Sequence, residues 1–205
     1  SDGVGWFVSG GTVSSGSGGN QVRDIALTDI DGDTYLDLVS ANFGTINMRL
    51  ALNNGDGTFG SSQPFSTGTD GKVVTAADID DDGDMDLLVF NSGTNDLDLL
   101  INQGIGTFDA PMQFDLAPGV EYLLVTDLTG DGLPDVAVTV SNAGQGRVDL
   151  LVNQGGATLM SPLTINVDDG ALRLAVGDWD GDTKSDLAVV SDDATWTPGA
   201  CGGTP

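Results

Sequence analysis

Four acidic nine-residue segments recur along this chain at nearly constant spacing. They occupy residues 29–37, 78–86, 127–135 and 178–186, and each has an aspartate at its first, fifth and ninth positions. The first aspartates of successive segments are 49, 49 and 51 residues apart. Periods of this size are typical of solenoids and propellers, in which one structural unit is repeated. The chain is therefore expected to contain four similar units.

The pattern of oxygen-bearing residues in these segments predicts binding of a hard cation. Oxygen ligands at positions 1, 3 and 5, a backbone carbonyl at position 7 and a carboxylate at position 9 can surround one ion, and such a cage suits calcium better than magnesium. An EF-hand loop would have a glutamate at position 12, where this chain has Ser40, Val89, Val138 and Val189. We interpret the segments as calcium-binding hairpins, with aspartate-rich turns that bind no ion as the alternative.

A second motif follows each of the first three acidic segments in the same phase. It occupies residues 53–59, 102–108 and 153–159 and begins with an asparagine, and residues 1–7 are a degraded version of it. Between the motifs lie short apolar runs that are typical of strands, which in the second unit are residues 59–65, 72–79, 86–91 and 96–102. No segment has the periodicity of a helix. The sequence thus predicts an all-β protein with four-stranded antiparallel blades.

The strand that precedes each acidic segment is almost entirely apolar and ends in small residues. Such a run is typical of a strand buried on both faces, and small residues suit strands that converge on a crowded axis. In the strand at 96–102, by contrast, Leu97, Leu99 and Ile101 alternate with Asp98 and Leu100, as expected for a strand further out. The pattern favours a β-propeller in which the strand before each acidic segment lies innermost.

Together the two phased motifs resemble the FG-GAP/VCBS repeat, and the resemblance covers nearly the whole chain. That family forms calcium-binding β-propellers and includes integrin α-chain heads and some secreted lectins. The resemblance implies a single propeller, or a segment of one, over residues 1–205, with units at about 1–52, 53–101, 102–152 and 153–205. It also implies about four calcium ions per chain.

The family's ligand positions can be carried over to each acidic segment of this chain. The residues at position 7 would contribute their backbone carbonyls, and Thr129 departs from the carboxylate expected at position 3 of the third loop. Loop 127–135 is therefore expected to bind calcium most weakly, and loop 78–86, with six acids, most tightly. The implied ligands are Asp29, Asp31, Asp33, Tyr35 and Asp37; Asp78, Asp80, Asp82, Asp84 and Asp86; Asp127, Thr129, Asp131, Leu133 and Asp135; and Asp178, Asp180, Asp182, Lys184 and Asp186.

The net charge restricts the classes of partner. The chain has 31 acids and 6 bases, a formal charge of −25, and 17 of the acids lie in the four loops. Such a surface repels nucleic acids and anionic membranes, and no apolar run is long enough to insert into a membrane. Glycan or protein ligands remain open. Weak calcium sites saturate where calcium is about millimolar, so we expect an extracellular or cell-surface location.

The residues needed for most enzymatic chemistry are missing. The chain has no histidine and one cysteine, Cys201, and the clustered aspartates are already assigned to metal loops. Histidine-dependent triads are excluded, and we expect no enzymatic activity. Trp179 is expected to pack between blades, and Trp6 and Trp196 to cap the ends rather than stack on a sugar.

Two functions remain open. The chain could be a calcium-stabilised recognition module for glycan or protein ligands, or a structural module that assembles into spacers or fibres without a soluble ligand. Four blades lie at the lower limit for a closed propeller. We therefore expect an open arc that adds further blades or self-associates over a closed ring in which strand 6–13 completes the last blade.

Overall fold

The computed structural model describes residues 21–44, 48–142, 145–167 and 170–191. Within these ranges all regular secondary structure is β, which confirms the predicted fold class. The strands form four antiparallel sheets in which neighbours in sequence are neighbours in space. The first sheet contains β1 (Gln21–Thr28), β2 (Asp37–Phe43), β3 (Met48–Ala51) and β4 (Gln63–Phe65).

The next three sheets repeat this arrangement. The second contains β5 (Gly71–Ala77), β6 (Asp86–Asn91), β7 (Asp96–Leu100) and β8 (Met112–Asp115). The third contains β9 (Val120–Thr126), β10 (Asp135–Asn142), β11 (Gln145–Leu151) and β12 (Leu163–Val167). The fourth has two strands within the described residues, β13 (Ala171–Gly177) and β14 (Asp186–Ser191). Each acidic segment connects the first two strands of its sheet.

The sheets do not coincide with the predicted sequence units. The segment 59–65 was placed first in the unit 53–101, but β4 pairs with β3, so it closes the preceding sheet. The outer strand of the second sheet is β8 instead, which pairs with β7. The reason is topological: the second motif is a tight hairpin connection, closed by a bridge between Asn53 and Phe59, that returns the chain to the sheet it has just left.

Apolar side chains between successive sheets form the core. One cluster lies between the first and second sheets and includes Val39, Leu50 and Leu87. A larger one between the second and third sheets includes Phe90 and Val138. A small one joins the third and fourth sheets. The sheets therefore stack face to face like successive propeller blades.

The most buried strands are not the ones predicted from the sequence. Every residue of β6 and β7 is buried, whereas β1, β5, β9 and β13 are only partly buried. The alternation along β7 therefore does not mark an exposed face, because Leu97 and Asp98 are both inaccessible to solvent. The first strand of each sheet has a paired neighbour on one side only, which explains its exposure.

Each first strand also contains an irregularity at the same place. The register of pairing shifts between Val22 and Asp24 in β1, and at the matching points of β5, β9 and β13. Such β-bulges leave one residue unpaired and redirect its side chain.

No described residue belongs to a helix that is long and apolar enough to cross a membrane.

Candidate metal centre

The four acidic loops share one backbone conformation. Residues at loop positions 4 and 6 have positive φ angles in every copy. Glycine adopts this conformation without strain, but Thr34, Asp81 and Thr183 adopt it as well, where a side chain is disfavoured. Repeated left-handed residues wind the chain tightly, so that several backbone N–H groups point into the loop.

These N–H groups bind the aspartates at positions 1 and 5. In the first loop, Gly32 and Asp33 donate to Asp29 Oδ1 at 2.9 and 3.1 Å, and Thr34 donates to Asp29 Oδ2 at 2.9 Å. The N–H at position 7 donates to the carboxylate at position 5, as Tyr35 does to Asp33 at 2.9 Å. Equivalent bonds occur in the other three loops.

The aspartate at position 9 connects its loop to the second motif. Asp86 is fully buried, and its Oδ2 accepts a hydrogen bond from Ile79 N–H at 2.8 Å. Its Oδ1 accepts one from Asn102 N–H at 2.8 Å, where the second motif begins. Asp37 and Asp135 make the same pair of bonds. The two sequence motifs therefore form one hydrogen-bonded unit around a buried carboxylate.

Three of the four loops bring carboxylates together closely enough to hold a metal ion. Within each group the ligand oxygens lie within 4.8 Å of one another. The third loop, in which Thr129 replaces an acid, forms no such group among the described residues. The groups are Asp29, Asp31 and Asp33; Asp78, Asp80 and Asp86; and Asp178, Asp180 and Asp186.

The donor set of these groups fits calcium, which prefers several carboxylate and carbonyl oxygens. Asp80 Oδ1 is buried without a hydrogen-bond partner, as expected for an atom that a cation would contact. The three groups do not include the predicted ligands Asp37, Asp82 and Asp182. The backbone carbonyl ligands stay predictions at Tyr35, Asp84, Leu133 and Lys184. An ion that drew these residues in would complete the cage implied by the sequence.

Several loop aspartates have shifted pKa values, which show where a bound cation would stabilise a carboxylate. Burial raises the pKa of Asp86 to about 6, against the opposing effect of its hydrogen bonds from Asn102 and Ile79. Burial and neighbouring carboxylates also raise the pKa values of Asp31 and Asp80. In the third loop, hydrogen bonds from Gly132 and Gly130 instead lower the pKa of Asp127. A divalent ion would favour the charged forms of Asp86, Asp31 and Asp80.

Side chains that sequence reasoning missed join one sheet to the next. The Nδ2 group of Asn102 donates to Ile30 O, and that of Asn153 donates to Ile79 O, both at 2.8 Å. The acceptor in each case lies at position 2 of the preceding metal loop. One signal for these contacts was present in the sequence, which is that the two motifs recur with the same period. This period shows that the motifs occur together, but not that the asparagine of one sheet contacts the metal loop of the preceding sheet.

Two aromatic residues of the loops also differ from expectation. The ring of Tyr35, which had no predicted role, lies against Gly55, where a Cβ atom would come within 2.7 Å of it. Trp179 is 57% exposed, so within the described residues it is not packed between blades as predicted. The equivalent Ile30 is buried by the second sheet, whereas no further sheet follows β14 among the described residues. Trp6, Trp196, Cys201 and the strand predicted at 6–13 lie outside the described residues.

Comparisons with known proteins match this architecture. A model of the FG-GAP-like repeat family matches residues 29–89, 78–138 and 127–189. Each match begins at the first aspartate of one loop and ends after the next loop. No curated protein sequence matches the chain significantly.

Two solved structures match most of this chain. A lectin of Agrocybe aegerita, described for its specific recognition of non-reducing terminal N-acetylglucosamine, is 26% identical with a TM-score of 0.57, and the match covers 78% of this chain and 44% of the lectin. The Tc holotoxin pore of Photorhabdus luminescens is 23% identical with a TM-score of 0.49, over 80% of this chain and 8% of that one. This chain thus spans less than half the length of either protein.

Proposed function

Because the chain belongs to the FG-GAP-like repeat family, we propose that it is a calcium-binding recognition module made of propeller blades, and that its ligand is a glycan. The observation that carries this proposal is the similarity to a glycan-binding lectin over 78% of the chain, at 26% identity. The metal loops lie within the matched family repeats. A stable stack of blades with variable connections is a suitable scaffold for binding sites.

In this proposal calcium holds the scaffold in its binding form. Each ion would neutralise a loop that otherwise concentrates three to six acids within nine residues. Asp86 also accepts a hydrogen bond from Asn102, whose side-chain amide donates to Ile30 O of the preceding sheet, so ion binding would stabilise the connection between sheets and not the loop alone. Calcium saturation at millimolar concentration would suit an extracellular location.

We further propose that additional blades complete the module, from a longer chain or from a second copy. The first strand supports this, because its side chains Val22, Ile25 and Leu27 are each about half exposed. Apolar residues on an edge strand favour contact with another sheet. Light scattering of the calcium-loaded protein tests self-association: a monodisperse 20.9 kDa monomer would contradict completion by a second copy.

A glycan array with and without calcium tests the recognition function. We expect saturable binding to a restricted set of glycans in calcium, and loss of binding in excess chelator. Asp86→Ala should weaken this binding at limiting calcium, and Asp109→Ala, which changes an aspartate outside the metal loops, is the control. Ordered self-assembly without binding to any glycan would contradict the proposal and favour the structural alternative.

A further inference from the structure

Three of the six basic residues of this acidic chain line one cavity. The cavity has a volume of about 510 Å³ and is lined by the side chains of Arg23, Lys72 and Arg173 together with Asp24 and Glu121. Volumes of this order are typical of small-molecule sites. These five side chains carry a net formal charge of +1, although the whole chain has a charge of −25.

Equivalent β-bulges in successive sheets build this cavity. Arg23, Lys72 and Glu121 are the unpaired residues of the bulges in β1, β5 and β9. They are spaced by 49 residues, in the same phase as the metal loops. The bulge directs all three side chains to the cavity, which is formed where the first strands of the sheets begin. Bulges are frequent next to functional sites, where they redirect a side chain.

Contacts within the cavity hold its cations in place. Lys72 Nζ forms an ion pair with Glu121 Oε2 at 2.9 Å and donates to Val120 O at 2.8 Å. The guanidinium of Arg173 lies 5.2 Å from the centre of the Tyr122 ring and donates to Leu172 O at 2.9 Å. These contacts fix the direction of both cations before any ligand arrives, which lowers the entropic cost of binding.

Arg23 has unused hydrogen-bonding capacity. Its guanidinium lies 4.9 Å from the centre of the Phe43 ring, and the described part of the chain provides no hydrogen-bond acceptor for it. A guanidinium can bind a planar carboxylate through two parallel hydrogen bonds. Arg23 is therefore positioned to receive an anionic group of a ligand.

The cavity is distinct from the metal loops. Lys72 lies six residues before the first aspartate of the second loop, at the opposite end of β5. At the rise of an extended strand this corresponds to about 20 Å. An anion bound here would contact the basic side chains directly and would not need a bridging calcium ion.

We propose that this cavity binds a carboxylated saccharide unit of a glycan, an inference that rests on the proposed glycan-binding function. A single carboxylate would neutralise the net charge of +1 on the five charged lining residues, whereas the negative surface around the cavity repels polyanions. Phe43 is 41% exposed and Tyr122 also lines the cavity, so apolar ring surface lies beside the charges. Sugars present apolar faces beside hydroxyl groups. Ser92 Oγ already donates to Asp70 O, and the Asp24 carboxylate already accepts from two backbone N–H groups, but both keep lone pairs that can accept hydrogen bonds from sugar hydroxyls.

Isothermal titration of the calcium-loaded protein with D-glucuronate and D-glucose tests the proposal, because the two sugars differ in a carboxylate. The structure predicts binding of glucuronate and none of glucose at the same concentrations. Arg23→Gln should weaken glucuronate binding about tenfold, as expected for loss of a charge-assisted hydrogen bond. Arg173→Gln should also weaken it, because that change removes a second positive charge from the cavity.

Arg49→Gln is the matched control, since it removes one positive charge outside the cavity. It should leave glucuronate affinity unchanged, and thermal unfolding verifies that each variant is folded. Equal binding of glucose and glucuronate, or equal affinities of the Arg23→Gln and Arg49→Gln variants, would overturn the proposal. Binding of the peptide Gly-Asp-Gly in place of glucuronate would also overturn it and would assign the cavity to a protein carboxylate.

The glycan array separates this inference from the proposed function. Binding to glycans that is unaffected by Arg23→Gln would leave the glycan-binding function standing and overturn the cavity assignment. Binding of glucuronate to the cavity without any hit on the array would support the carboxylate site and contradict the wider function.

Discussion

The side-chain amide of Asn102 donates a hydrogen bond of 2.8 Å to the backbone carbonyl of Ile30, and so joins one sheet to the metal loop of the preceding sheet. The residues are 72 positions apart in sequence, and both are buried. The backbone N–H of Asn102 meanwhile binds Asp86 of its own loop. A single asparagine therefore contacts two successive metal loops, and the metal sites are structurally coupled along the stack.

Replacement of this asparagine should destabilise the protein. Asn102→Ala removes hydrogen bonds to Ile30 O and Met85 O and leaves a buried carbonyl without a partner, so the free energy of unfolding should fall by about 1–3 kcal/mol. Asn53→Ala is the control, because the Asn53 amide donates to the exposed Leu36 O within its own sheet. Chemical denaturation in saturating calcium measures both. Equal losses would show that the bond between sheets adds nothing.

Restoring the missing carboxylate should strengthen the third loop. Thr129→Asp supplies an acid at position 3, where the other loops have one, and calcium affinity rises with the number of charged ligands. The reciprocal change Asp31→Thr should weaken the first loop. Calorimetric titration should find one additional or tighter site in the first variant and one weaker site in the second. Unchanged isotherms would contradict the ligand assignment at position 3.

The position 9 aspartates should differ in their contribution to stability. Asp86→Ala and Asp135→Ala both remove hydrogen bonds to loop and motif backbone, but Asp86 also belongs to a three-carboxylate group. We expect the Asp86 variant to lose more stability in saturating calcium. In excess chelator the difference should shrink, since only hydrogen bonds remain. Thermal unfolding in both conditions tests this, and equal losses in calcium would contradict it.

Asp98 should make stability depend on pH through its burial. Burial raises the pKa of Asp98 above its unfolded value of 3.8, and its Oδ2 accepts hydrogen bonds from Gly68 N–H and Asn91 Nδ2 at 2.6 and 2.9 Å. As pH rises above that value, the unfolded chain releases this proton first, so Asp98 contributes less stability until its folded pKa is passed. The stability of Asp98→Asn relative to the wild type should therefore rise from about pH 4 to pH 7.

The control for this experiment is Asp149→Asn in the third sheet. Asp149 is buried like Asp98, but it forms an ion pair with Arg147 at 3.0 Å. Removal of its charge should destabilise the protein by about 1–3 kcal/mol at neutral pH. Denaturant unfolding over the pH range, in saturating calcium, measures both variants. A relative stability of Asp98→Asn that falls with rising pH would contradict the assignment.

The acidic loops and their period were predictable because they depend on local chemistry. Alternating aspartates, with a glycine at one or both left-handed positions of each loop, define the hairpin without reference to the rest of the chain, and the three family matches cover the same loops. The predicted ends of two strands were close to the observed ends for the same reason. The predicted 86–91 is identical to β6, and 96–102 exceeds β7 by two residues.

What could not be predicted depends on contacts between distant segments. A repeat period gives the phase of a unit but not where its sheet begins, so β4 was placed in the wrong blade. The Asn102–Ile30 bond crosses between sheets and has no local signature. The basic cavity likewise collects residues from several strands through bulges, which the sequence alone does not indicate.

Thermal unfolding in calcium and in excess chelator, combined with elemental analysis, tests whether bound calcium stabilises the fold. No preformed cage exists in the unfolded chain, so the free energy of calcium binding stabilises the folded state. We expect at least three calcium ions per chain and a markedly lower melting temperature in chelator. An unchanged melting curve in chelator, or fewer than three bound ions per chain, would contradict this expectation.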